Sequence, residues 1–307
     1  MVINMLWTEK YRPRKINQIV GQHQFVIDAE TWIENKNMPN VLAYGKAGTG
    51  KTSAAMALAI ELLGDDFKDN FYEINASDDR RLEIVRTNIK EIAQTGKYGD
   101  VPFKIILLDE MDGMTNDAQN ALKRIMERYS ENIRFFITCN DRSKIIFPLQ
   151  SRCANYHFKP LNDMQMKDLL CNIAKTEENK VYDDKEMEGF IYTLRGDMRR
   201  GITQLQASIH SNTPLSKQID NALEKPREIL NKIVDSDLDS ALDMLHDLIY
   251  EGRNIKNICG DLHDCIITAE MEAPKKYKLL RVIGESEWRA NNMTPRVLAS
   301  WMIGQMR

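Results

Sequence analysis

The feature that most restricts this chain is Gly45-Lys46-Ala47-Gly48-Thr49-Gly50-Lys51-Thr52, with Ser53 behind it. It fits GxxxxGK[ST]. It lies between an apolar run, Val41-Leu42-Ala43-Tyr44, and a helical pattern from about Lys51 to Leu63. Strand, glycine loop and helix in that order is the context the motif requires. The glycines let a tight loop aim its N–H groups at phosphate oxygens, and the helix start adds a positive dipole end. Lys51 is then expected to reach the β- and γ-phosphates and the Thr52 hydroxyl to ligate Mg²⁺.

Further strands are expected, because a strand that feeds a helix needs parallel neighbours. Phe71 to Asn75, Lys104 to Leu108, Arg134 to Thr138 and Ala154 to Phe158 read as four more, with helices near Leu82–Ala93 and Asn116–Tyr129. This alternation implies an α/β parallel-sheet domain over 1–160. After Lys159-Pro160 the strand signal stops. Helical spacing covers Asn162–Ala174, Asp184–Leu194 and Met198–Ser208, a small helical domain over 161–215. The polar stretch Ser211–Ser216 reads as a linker. The remainder, 216–307, reads as helices only, at 226–235, 237–251, 254–271, 275–290 and 294–306.

Two further strand ends carry chemistry. Ile105-Ile106-Leu107-Leu108 runs into Asp109-Glu110. Ligands in open parallel sheets bind at carboxyl ends of strands. Asp109 is expected to hold Mg²⁺ through water, and Glu110 to polarise an attacking water, which makes the reaction hydrolysis. Phe135-Phe136-Ile137-Thr138-Cys139 ends in Asn140. It reads either as a γ-phosphate sensor or as an ordinary strand-ending turn residue. Arg152 reads either as a phosphate ligand or as half of a surface salt bridge. Arg199, at a helix start after Gly196-Asp197, reads either as a lid cation over the nucleotide or as an exposed charge.

The formal charge of -3, from 42 basic and 45 acidic side chains, gives no whole-chain reason to expect nucleic-acid binding. Five cysteines without a CxxC pair suit a reducing compartment and argue against a zinc ribbon. The N-terminus shows no signal-peptide core. The longest apolar run, Ala54–Ile60, is far short of the ~20 residues a membrane span needs, so no membrane partner is expected.

Further stretches make the pattern specific: Leu6-Trp7-Thr8-Glu9-Lys10-Tyr11-Arg12-Pro13 with Ile19-Val20-Gly21-Gln22, Asn75-Ala76-Ser77-Asp78-Asp79-Arg80, Asp109 to Thr115 with Asp117 to Leu122, Thr138-Cys139-Asn140 and Leu149-Gln150-Ser151-Arg152-Cys153. Together they resemble the small subunit of replication factor C, the archaeal and eukaryotic sliding-clamp loader and a member of the AAA+ ATPases. The likeness covers about 1 to 210 strongly and the last third by its helical character. Lys46 and Ala47 stand where the family usually has two prolines. Met111 and Gly113 replace commoner small residues, and Pro214–Arg227 lacks the usual link between lid and collar. These departures mark a distant member.

The resemblance implies an AAA+ domain, a lid and a C-terminal collar. It implies ATP and Mg²⁺ as cofactors, with Tyr11, Arg12, Pro13 and Val20 bordering the adenine. Asn140 becomes a first sensor and Arg199 a second. Arg152 becomes an arginine finger acting on the neighbouring subunit's ATP, and Gln119 a coupler between the ATP site and DNA-facing helices. Arg80, Arg86, Lys123 and Arg124 become candidates for lining a DNA chamber. The implied partners are a large subunit, further copies of this chain in a pentamer, a sliding clamp and primer–template DNA. The implied location is cytoplasmic and nucleoid-associated, or nuclear in a eukaryote. Competing readings are a bacterial-type clamp-loader motor, which needs a four-cysteine zinc insertion absent here, and a Holliday-junction translocase, which ends in a winged helix with a hairpin. A non-hydrolysing ring subunit should lack Lys51, Glu110 or Arg152; all three are present. A restriction or defence AAA+ protein is a further alternative.

Overall fold

In a computed structural model, residues 5–76, 82–178 and 180–306 are described, with their side chains except at 82–86 and 216–224. The chain divides into two compact units, Met1–Asn212 and Thr213–Arg307. The expected boundary at 160 falls within the first.

The first unit is built on a five-stranded, all-parallel sheet: β1 (Val41–Tyr44), β2 (Phe71–Asn75), β3 (Lys104–Asp109), β4 (Ile133–Cys139) and β5 (Ala154–His157), in the order β2-β3-β4-β1-β5. The three inner strands are near-continuous apolar runs because both faces are covered. Val41, Ala43, Ile105, Leu107 and Phe136 pack on one side against helices His23–Glu34 and Lys51–Leu63. Leu42, Ile106, Leu108, Phe135 and Ile137 pack on the other against helices Leu82–Gln94 and Asn116–Arg128. In Lys51–Leu63, Ala54, Ala55, Ala57 and Ala59 are all buried, so the helix that follows the glycine loop lies close on the sheet. The sheet thereby fixes the position of that helix start.

Three helices, Asp163–Glu178, Asp184–Leu194 and Met198–His210, complete the unit. A short N-terminal strap ties onto them. Trp7 is buried with its ring edge-on to His210, and its backbone N–H donates to Gln206 Oε1 at 3.0 Å. Tyr11 Oη donates to Glu177 Oε1 at 2.5 Å, and Lys10 Nζ pairs with the same oxygen at 2.6 Å. Burial and the adjacent Glu177 push the Tyr11 phenol up to about 12. Burial alone would raise the Glu177 carboxyl, but hydrogen bonds from Lys10 and Tyr11 outweigh it and hold the group below its ordinary value.

The second unit comprises helices Ser216–Val234, Leu238–Tyr250, Ile255–Thr268, Ala273–Arg289 and Pro295–Gln305 around one apolar core. One expectation is corrected here. The sequence reading starts the first of these helices at Pro226, because an interior proline removes one helical hydrogen bond and crowds the carbonyl four residues back. The helix instead starts at Ser216 and runs through Pro226. Beyond the proline, Ile229, Leu230 and Ile233 are buried in the core; just before it, Lys225 pairs with Glu251 at 2.7 Å. Tertiary packing outweighs the local penalty. Among the described residues no helix is long and apolar enough to cross a membrane.

Candidate active site

Parallel pairing brings the carboxyl ends of β1, β3 and β4 together. Gly45 N–H donates to Cys139 O at 3.2 Å, which sets the loop entrance beside the end of β4. Gly45 has φ +145, and a Cβ there would lie 2.2 Å from Phe158 O. Only glycine lets the chain leave β1 so close to the end of β5. Gly48 has φ +75, and a Cβ there would lie 2.1 Å from Asp197 Oδ1. Asp197 caps helix Met198–His210, accepting from Arg200 N–H at 3.0 Å. The start of that helix therefore rests on the glycine loop.

This contact gives a test. Gly48→Ala should weaken nucleotide binding about tenfold or more, since strain of roughly 1–3 kcal/mol falls on the loop that would hold phosphate, and each 1.4 kcal/mol is tenfold in affinity. Titration with a fluorescent ATP analogue measures it. Wild-type affinity would show that the loop tolerates displacement of Asp197.

Lys51 is buried at the first helical position, and all three N–H bonds of its ammonium are engaged. It donates to Gly45 O at 2.7 Å, Lys46 O at 2.9 Å and Asn140 Oδ1 at 3.1 Å. Burial pulls its pKa down, and Asp109 opposes that. Thr52 Oγ1 donates to the Asp109 carboxylate at 3.1–3.2 Å. A second hydroxyl, Thr138 Oγ1, also donates to Asp109, and it accepts the Glu110 N–H at 3.1 Å. Glu110 is exposed and has φ 55, left-handed for a residue with a Cβ. Thr138 thus ties the end of β4 to this strained turn. Asn140 N–H donates to Asp112 Oδ1 at 3.3 Å, a second tie between β4 and the segment after β3.

One cavity gathers most of the expected residues. Tyr11, Arg12, Pro13 and Val20 line it, with Ala47, Gly48, Thr49, Gly50, Lys51, Thr52, Ser53, Asp109, Glu110, Asn140 and Arg199. Gly45 and Lys46 are not among its lining residues; their carbonyls accept from Lys51. Arg152 is not among the lining residues. It pairs with Glu127 and donates to Pro148 O at 2.7 Å. Lys123 is half-buried and Arg124 exposed on helix Asn116–Arg128. Arg80 lies outside the described residues, as do Ser77-Asp78-Asp79 and the Arg86 side chain. Gln119 is fully buried, donating to Met114 O and Lys144 O and accepting from Ile146 N–H.

The sequence reading did not assign Thr138, Ile19, Leu161, Met198 or Ile202 to this cavity, which they also line. Thr138 had a signal: a hydroxyl inside an apolar strand, two residues before Asn140. The apolar residues had none, because an apolar side chain that borders a ligand reads the same as one that fills a core.

Comparison with known proteins shows the family. Residues 41–161 match the family of ATPases associated with various cellular activities (AAA), and 224–294 match the replication factor C C-terminal domain. The chain is 40% identical over 296 residues to the replication factor C small subunit of Saccharolobus solfataricus, covering 94% of this chain and 89% of that one. It is 39% identical to the Archaeoglobus fulgidus small subunit, covering 92% and 91%. In fold it is similar to the Thermotoga maritima RuvB Holliday junction branch migration motor, at TM-score 0.57 and 16% identity over 77% of this chain and 85% of that one. A nucleotide-binding AAA domain followed by this C-terminal domain, at such identity over nearly the whole length, places the chain in the replication factor C small subunit family, as an ATPase subunit of a clamp loader.

Proposed function

We propose that this chain hydrolyses ATP at the described cavity, within a ring of several subunits, to open a sliding clamp and load it on primer–template DNA. The observation that carries the reading is the convergence of the glycine loop, Asp109-Glu110, Asn140 and Arg199 on one cavity, with Arg152 outside it. Lys51 pairs with the β- and γ-phosphates, and loop N–H groups take the remaining phosphate oxygens. Glu110 orients and polarises the attacking water, and Asn140 fixes the γ-phosphate beside it. Arg199 closes from the lid, 161–215. Tyr11, Arg12, Pro13 and Val20 border the base. Arg152 stabilises the transition state in the neighbouring subunit's site.

The Thr52 hydroxyl and the Asp109 carboxylate, within 3.2 Å of each other, form the hard-oxygen donor set that suits Mg²⁺, which is usually held by one or two carboxylates plus substrate phosphates. When bound, Mg²⁺ supplies charge neutralisation at the phosphates. Thr138 holds Asp109 oriented for that role.

The 216–307 helices act as the collar for a large subunit and further copies of this chain in a pentamer. The location is the cytoplasm, at the nucleoid, or the nucleus in a eukaryote. Lys123, Arg124, Arg80 and Arg86 bind the DNA. Summed over several copies, these charges bind a duplex that a free chain of net charge -3 does not. The ATPase rate of the assembly, with and without clamp and primer–template DNA, tests this. Stimulation by both together is expected. The DNA effect should fall steeply with salt as counterions are released, and charge reversal of Lys123 with Arg124 should bring the stimulated-to-basal ratio towards one. A rate indifferent to clamp and DNA would sink the loading function and leave an ATPase of other purpose.

A further inference from the structure

Arg152 is not a loose side chain. Its Nε donates to Glu127 Oε1 at 3.0 Å, one terminal nitrogen also donates to that oxygen, and the other donates to Pro148 O at 2.7 Å. A guanidinium has five N–H bonds in one rigid plane. Three are used here, which fixes the plane and leaves two, one on each terminal nitrogen. The pair is solvent-exposed, 36% for Arg152 and 49% for Glu127, so it contributes little to folding stability. Its content is orientation.

Glu127 lies in the last turn of helix Asn116–Arg128. Gln119, in the first half of the same helix, binds the backbone of Lys144 and Ile146, the segment that leads to Arg152. One helix therefore grips the arginine-bearing segment at two points eight residues apart, about 12 Å along its axis. Lys123 and Arg124 lie between those points.

We propose that Glu127 is a positioning residue for the trans-acting arginine. It holds the Arg152 guanidinium with its two unused N–H bonds outward, so that the arginine's placement follows the position of helix Asn116–Arg128. The inference rests on the reading of Arg152 as a finger. It adds that the finger is aimed by a carboxylate of its own chain, and that a shift of this helix reaches the guanidinium through a side chain as well as through the backbone.

The test measures ATPase kinetics of the complete assembly carrying Glu127→Ala, Glu127→Gln, Glu127→Asp, Arg152→Ala or Arg152→Ala with Glu127→Ala. Glu127→Ala should lower kcat about two- to fivefold, as expected for loss of an exposed pair that orients one group, with KM for ATP unchanged. Glu127→Gln keeps an acceptor of the same shape and should lie between, and Glu127→Asp should recover part of the loss. The double variant should be no slower than Arg152→Ala, because the carboxylate acts only through the arginine. Thermal melting at wild-type temperature for Glu127→Gln separates positioning from misfolding. If Arg152→Ala stops hydrolysis while Glu127→Ala and Glu127→Gln turn over as fast as wild type or faster, Glu127 does not aim the arginine and the inference is overturned. If Arg152→Ala itself turns over normally, the finger reading fails, a different result from the first.

Discussion

Lys51→Ala is expected to abolish nucleotide binding, whereas Glu110→Gln is expected to retain it and stop turnover. Lys51 is a buried cation with three hydrogen bonds around the loop. Truncating one partner of a buried charge contact costs about 2–5 kcal/mol, which is roughly 30- to 5000-fold in affinity. The loop carbonyls of Gly45 and Lys46 would also lose their donor. Glu110 has a different position. It is exposed at the cavity, on a left-handed turn held by Thr138. Strain of about 1–3 kcal/mol at such a residue persists only where the surroundings over-determine it. The amide in Glu110→Gln cannot polarise water, and general-base loss is worth about 10²–10⁴ in rate. Isothermal titration and single-turnover hydrolysis read the two effects separately. Equal loss of binding in both variants would contradict the division of roles.

The second large effect concerns action between subunits. Arg152→Ala should fold and bind ATP, because the side chain lies outside the cavity and pairs at the surface. Hydrolysis in the assembly should fall by about 10³–10⁵, the range for arginine fingers in GTPases. Mixing Arg152→Ala chains with Lys51→Ala chains should restore activity, since some junctions then combine an intact site with an intact finger. With a deficit that large, even a minor fraction of productive junctions is measurable. If no mixing ratio exceeds the better single variant, Arg152 acts within its own chain.

Much of the first unit is legible in the sequence because its signals are local. Val41–Tyr44, the glycine loop and Lys51–Leu63 follow from an apolar run, the glycines and lysines of the loop motif and an alanine-rich helix start, and the structure has the same bounds. β3 and its two carboxylates follow from one uninterrupted apolar run. Pro226 shows the limit of local rules, since the penalty it carries is set against packing that no single segment reveals. Thr138 shows another, because its two partners lie at the end of a different strand and in the turn after it, 29 and 28 residues away. Glu127 shows a third. On a charged helix face it is one acid among several, and only the fold sets it against an arginine 25 residues on. Arg152 leaves two readings open in sequence, phosphate ligand or salt bridge. The salt bridge is present within the chain, and the two readings are compatible once a second subunit is considered.

The N-terminal strap also makes the chain its own optical probe. Trp7 is buried edge-on against His210, in the helix whose start carries Arg199. The other three tryptophans lie elsewhere: Trp32 packs against Phe25 and Tyr156, Trp288 is exposed, and Trp301 lies under Arg289. A chain with those three changed to phenylalanine would carry a single indole at the junction of the strap and helix Met198–His210. Its emission would follow the seating of one on the other in real time, with no dye attached.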